Sequence, residues 1–139
     1  MPAAGSNLSI TRVTSAAAPE PPPGTWSNCL VVNGIAYVAG LVARGQDGRL
    51  VEGDEYDQAK AIFAKMRGLI EAAGGTMSDV VKVVIFVTDI KNREQVWRAR
   101  REVFTGDFPV STLVQVAALA SPDLRVEIEA IAHLGAGKR

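Results

Sequence analysis

FPVSTLVQVAALASPDLRVEIEAIAH, residues 108–133, decides the fold. It reads as two strands joined by a short turn, Val110 to Leu119 and Leu124 to His133, with Pro122 and Asp123 as the breaker. Period-2 alternation puts Ser111, Leu113, Gln115 and Ala117 on one face of the first strand, and Thr112, Val114, Val116 and Ala118 on the other. In the second strand Glu127 and Glu129 share a face with Arg125 and His133, while Val126, Ile128 and Ala130 turn inward. Glutamate is almost never fully buried unless paired. The two carboxylates therefore read either as the solvent face of an edge strand or as the chemical groups of a site.

Working outward, VVKVVIFVTDI (80–90) alternates Val81, Val83, Ile85 and Val87 against Lys82, Val84, Phe86 and Thr88. A strand apolar on both faces belongs in the middle of a sheet. Before it, Ala59, Ile62, Phe63, Met66, Leu69, Ile70 and Ala73 fall at helical spacing within residues 55–73, and Gly74-Gly75 ends that helix. After it, Asn92 to Phe104 reads as a second helix with Val96, Trp97, Arg100, Val103 and Phe104 along one stripe. Nearer the N-terminus, Asn33-Gly34 separates two apolar runs, so Ser27–Val32 and Ile35–Gly40 are expected to pair as a hairpin. Leu41–Asp54 reads as a loop with a turn at Asp47-Gly48. Residues 1–26 supply a short strand near Leu8–Val13 and a Pro-rich surface arm carrying no core.

The expected architecture is α+β: one domain over residues 1–139, with a mixed six-stranded sheet carrying both helices on one face. The opposite face would show Val84, Phe86, Val114 and Val116, an apolar patch that predicts a homo-oligomer.

Composition narrows the function. With 139 residues, 47% of them hydrophobic and 22% charged, the chain is a single-domain globule able to bury roughly two-thirds of its unfolded surface. A net charge of zero argues against nucleic acid or an anionic membrane as partner. Arg93, Arg98, Arg100 and Arg101 form the one basic cluster, read as a solvated helix face or as an anion or RNA contact. Cys29 is the only cysteine and His133 the only histidine. This excludes an intrachain disulfide, a cysteine-based zinc cage and a paired-thiol redox site, and the segments around Ser111, Thr112 and Ser121 lack a nucleophile elbow. No metal or other cofactor is expected, no run spans a bilayer, and the expected address is the cytoplasm.

Four motifs, VNGIAYVAG, IFAKMRGLIEAAGGTMSDVVKVVIFVTDI, FPVSTLVQV and VEIEAIA, cover about Cys29 to Ala132 and resemble the YjgF/Rid family, the reactive-intermediate deaminases also called L-PSP endoribonucleases. The resemblance implies a chorismate-mutase-like fold, a homotrimer with ligand clefts between subunits, and hydrolysis of enamines or imines to 2-oxoacids and ammonia. It assigns Glu127 as the site glutamate and Gly40 as the family glycine. It aligns Trp26 with an aromatic, Trp97 with a helix asparagine, Ser111 with the arginine that grips the substrate carboxylate, and Leu113 with a residue that is often cysteine.

Serine cannot imitate the two-pronged grip of a guanidinium on a carboxylate. Arg44 and Arg100 are candidates for a substitute charge, or ordinary surface residues. Trp26, Trp97 and Leu113 would favour a larger, more apolar ligand, and the two tryptophans read equally as core or interface packing. Glu127 is the candidate proton-transfer or water-orienting group, with backbone amides near Ser111–Leu113 and the Ser111 or Thr112 hydroxyl steadying charge. A divergent imine hydrolase is set beside two alternatives: a non-catalytic small-molecule-binding or regulatory trimer, and an RNA-cleaving protein, against which zero charge and one histidine weigh.

Overall fold

The computed structural model describes residues 8–137; residues 1–7 of the expected N-terminal segment, and 138–139, lie outside the described residues. Six strands form one sheet: β1 (Thr11–Val13), β2 (Cys29–Val32), β3 (Ile35–Leu41), β4 (Val80–Val87), β5 (Val110–Gln115) and β6 (Val126–His133), in the spatial order β1-β2-β3-β6-β4-β5. Helices α1 (Glu55–Ala72) and α2 (Arg93–Val103) pack on the sheet, so the mixed α+β architecture holds.

Local chemistry accounts for the elements. The β2–β3 hairpin turns at Asn33 and Gly34, both at positive φ (51° and 77°), the primed geometry that suits the twist of antiparallel strands. Asp54 caps α1 by accepting from the backbone N–H groups of Tyr56 and Asp57, and Asp57 answers to the backbone of Asp54 in a capping box. The helix then buries Ala59, Ile62, Phe63, Met66, Leu69 and Ile70 against Val83, Ile85 and Ile128 of the sheet. Cys29 is fully buried, and desolvation pushes its thiol up to about 11, so it acts as a small apolar core residue.

Five expectations are corrected. The opening stretch does not form a pair of neighbouring strands, because β4 lies between β5 and β6. β5 follows a helical crossover from β4 and so joins it in parallel, leaving the other side of β4 for antiparallel β6. The first strand is also shorter than expected, ending at Gln115 rather than Leu119.

In β4 a register shift between Val80 and Lys82 turns Val80 into the core and leaves Val81 39% exposed, parting Val81 from the buried face it was expected to share with Val83, Ile85 and Val87. In α2 the buried residues are Val96 and Ala99, while Trp97 and Arg100 lie half-buried on the flank. Finally, the Pro-rich arm does carry core: Ala18 and Pro21 are buried, and Ala17 lies so close to Gly68 of α1 that a side chain there would collide with it.

Cross-strand partners share a face. The rows Glu127–Phe86–Val114, Glu129–Val84–Thr112 and Tyr37–Ile131–Lys82–Val110 therefore lie on the helix-free side of the sheet. Tyr37, Val110 and Val114 are exposed there, giving the apolar face that the sequence suggested.

Candidate functional site

A cavity of about 790 Å³ opens where β3 runs out and β6 begins. That volume lies in the range of small-molecule sites. One wall is the end of β3 with its following loop, including Gly40, Leu41 and Arg44; another is the Pro-rich arm with Trp26 and Asn28; Lys65 of α1, Ser121 and Glu127 complete it.

Glu127 owes its place to the irregular β3–β6 pairing, whose register shifts between Val38 and Leu41. Gly40 lies within that irregularity, and its missing side chain makes room for the carboxylate. Burial pushes the Glu127 carboxyl above the usual range, and the negative charge of Glu129, two residues on and on the same face, pushes it further. A carboxyl so raised exchanges protons closer to neutrality, the condition for general acid–base work.

Two cations line the same cavity. The Lys65 ammonium donates to the carbonyl oxygen of Val42 at 2.6 Å. Burial lowers its pKa, and the nearby Arg44 lowers it further. Arg44 is tied down, donating to the carbonyl of Gly48 (3.2 Å) and the hydroxyl of Ser121 (3.1 Å) and pairing with Asp123 at 3.2 Å. The arm is fixed by a short relay in which Trp26 Nε1 donates to Asn28 Oδ1 (3.3 Å) and Asn28 Nδ2 donates to the Pro19 carbonyl (2.9 Å).

The candidate residues from the sequence divide into two groups. Glu127, Gly40 and Trp26 meet in this cavity. Ser111 and Leu113 pair with Val83 and Ile85, which places them on the helix side of β5, away from Glu127; Thr112 faces the helix-free side beside Val84. Trp97 lies on α2 between Arg93 and Arg100, whose guanidinium carbons are 5.5 and 5.7 Å from its ring centroid. Arg100 Nη1 donates to the Ser111 hydroxyl at 2.9 Å, so of the two candidate substitute cations Arg100 stands at Ser111 and Arg44 in the cavity. Lys65 and Asn28 escaped the sequence reading. The one signal for Lys65 was its place beside the apolar stripe, between Ile62 and Leu69.

The family model described as Endoribonuclease L-PSP matches residues 16–134. The chain belongs to this family, the Rid/YjgF proteins. A crystal structure of a Rid-family protein of unknown function from Yersinia pestis is 33% identical, with a TM-score of 0.85 over 91% of this chain and 100% of that one. A protein of unknown function from Pseudomonas aeruginosa is 36% identical, with a TM-score of 0.82 over 91% of this chain and 94% of that one. RidA from an Antarctic Psychrobacter species is 30% identical, with a TM-score of 0.82 over 89% of this chain and 99% of that one.

Rid-family membership supports a general Rid-type function. Among the described residues of this Rid protein, no three His, Cys, Asp or Glu side chains gather to hold a metal ion. None of its described helices is long and apolar enough to cross a membrane.

Proposed function

We propose that this Rid-family chain hydrolyses an imine or enamine to a carbonyl compound and ammonia, with Glu127 as the proton-transfer group. The observation that carries the reading is a half-buried carboxyl of raised pKa, seated against Gly40 in a largely apolar cavity of about 790 Å³. Glu127 takes a proton from a water molecule as its oxygen bonds to the imine carbon, and the C=N pair moves onto nitrogen. Glu127 then returns the proton to that nitrogen. Glu127 next carries the hydroxyl proton to the amino nitrogen as the C–N bond breaks, so that ammonia leaves and the carbonyl forms. Water is the only co-reactant.

The working unit in this proposal is a homotrimer, assembled through the apolar helix-free face on which Tyr37, Val110 and Val114 are exposed. A second reading, a binding or regulatory trimer without turnover, draws on Ser111, whose hydroxyl is held by Arg100 on the helix side of β5.

The test generates 2-imino acids with an amino acid oxidase and follows their loss against a carbonyl trap. Acceleration by the protein, and a fall of about 10²–10⁴-fold in a folded Glu127→Gln variant, is the expected result. Full activity in that variant would remove Glu127 from the reaction, and no acceleration by the native protein across small and aromatic imines would favour the binding reading.

A further inference from the structure

Two of the charges on the cavity wall are already answered. Glu20 is paired with Arg12 at 2.7 Å, and Arg44 with Asp123 at 3.2 Å. Lys65 is different: no carboxylate among the described residues comes within ion-pair distance of its ammonium, which lies half-buried with one carbonyl partner. Taking an ammonium out of water without an anion is unfavourable, and a lysine whose only task was to lie over α1 could send its head group to solvent. Glu127 is the other charge in the cavity that forms neither an ion pair nor a side-chain hydrogen bond with a described residue. The cavity thus presents one unanswered cation and one unanswered carboxyl in a lining that also includes Leu41, Pro19, Pro21 and Trp26.

We propose that Lys65 is the carboxylate anchor of this cavity, which takes a 2-imino or 2-amino acid with a bulky apolar or aromatic side chain. The ligand carboxylate displaces part of the Lys65 hydration and joins the Val42 carbonyl around its ammonium. The nitrogen-bearing end turns to Glu127, and the side chain lies along the prolines of the arm and Trp26. Arg44 adds positive potential, but its charge is already answered by Asp123 and both of its terminal nitrogens are engaged, Nη1 by Gly48 and Nη2 by Ser121 and Asp123. This assignment rests on the hydrolase reading for the nitrogen-bearing end only; the carboxylate site stands on Lys65 itself.

The experiment is calorimetric binding of two matched ligands, 3-phenylpropanoate and 3-phenylpropanamide, to the intact native protein and its Lys65→Arg and Lys65→Met variants. The native protein is expected to prefer the carboxylate by roughly tenfold or more, the strength of one hydrogen bond to a charged group. Lys65→Arg should keep most of that preference, and Lys65→Met should bind the two ligands equally while still holding the amide as the native protein does. Equal binding of both ligands by the native protein, binding of neither, or an equal loss of both in Lys65→Met would each overturn the assignment, the last marking Lys65 as a purely structural support for Val42. Imine hydrolysis on the same proteins separates the two claims: a carboxylate preference without turnover leaves the anchor and removes the hydrolase, and turnover without a preference does the reverse.

Discussion

Gly40 and Glu127 stand so close across the irregular β3–β6 pairing that a Cβ on Gly40 would lie 2.8 Å from the Glu127 carboxyl carbon. The atoms in the way belong to the outer part of a flexible side chain, so Gly40→Ala should fold and instead swing the carboxylate aside. A displacement of about 1 Å at a reacting group can cost about 10²-fold in rate. The expected outcome is a loss of that order in imine turnover with a melting temperature close to native. Native turnover in Gly40→Ala would show that the position of Glu127 against β3 is immaterial.

Gln58 links the cavity to the stability of the fold. Its side chain is fully buried in α1, donating to the Asp123 carbonyl at 3.1 Å and accepting from the Arg125 N–H at 2.9 Å. Those bonds pin the segment that enters β6, two residues before Glu127. Gln58→Leu keeps the volume and removes both partners, which should cost about 1–3 kcal/mol of stability. Chemical denaturation should read the loss, and amide exchange should quicken first at residues 123–127. An unchanged midpoint would mean that water replaces both bonds without cost.

The sheet elements and α1 were legible because each carries a local signal: Asn33-Gly34 for the hairpin, the stripe from Ala59 to Ile70 for the helix, alternation for β6. What alternation could not carry was a register irregularity. The bulge at Val80–Lys82 inverted the expected faces of Val81, and the shift between Val38 and Leu41 is a tertiary arrangement that makes room for Glu127. Neighbourhood in the sheet was equally hidden, since nothing in residues 108–133 says that β4 comes between its two strands. For the site, Glu127 and Gly40 were readable through the family motifs. Lys65 was not, because its place in the cavity comes from its contact with Val42 and its nearness to Arg44, which are distant in sequence and close in space.

Glu129 offers a way to tune the site from outside it. Burial is the first cause of the raised Glu127 pKa and the Glu129 charge the second. A carboxyl with a folded pKa above its unfolded value binds more protons when folded. It therefore favours the fold at pH below the ordinary glutamate value and loses that contribution as pH rises through its own raised pKa. Glu127→Gln should accordingly be no less stable than the native protein at neutral pH, even as it loses turnover. Glu129→Gln removes one of the two causes and leaves the other, so the Glu127 pKa should fall part of the way back. If turnover needs the ionised carboxylate, its acidic limb should move to lower pH in Glu129→Gln, with the plateau rate little changed. A pH profile of kcat/KM for the two proteins reads this directly. A limb that stays in place, or moves to higher pH, would mean that a group other than Glu127 sets the acidic side of the profile.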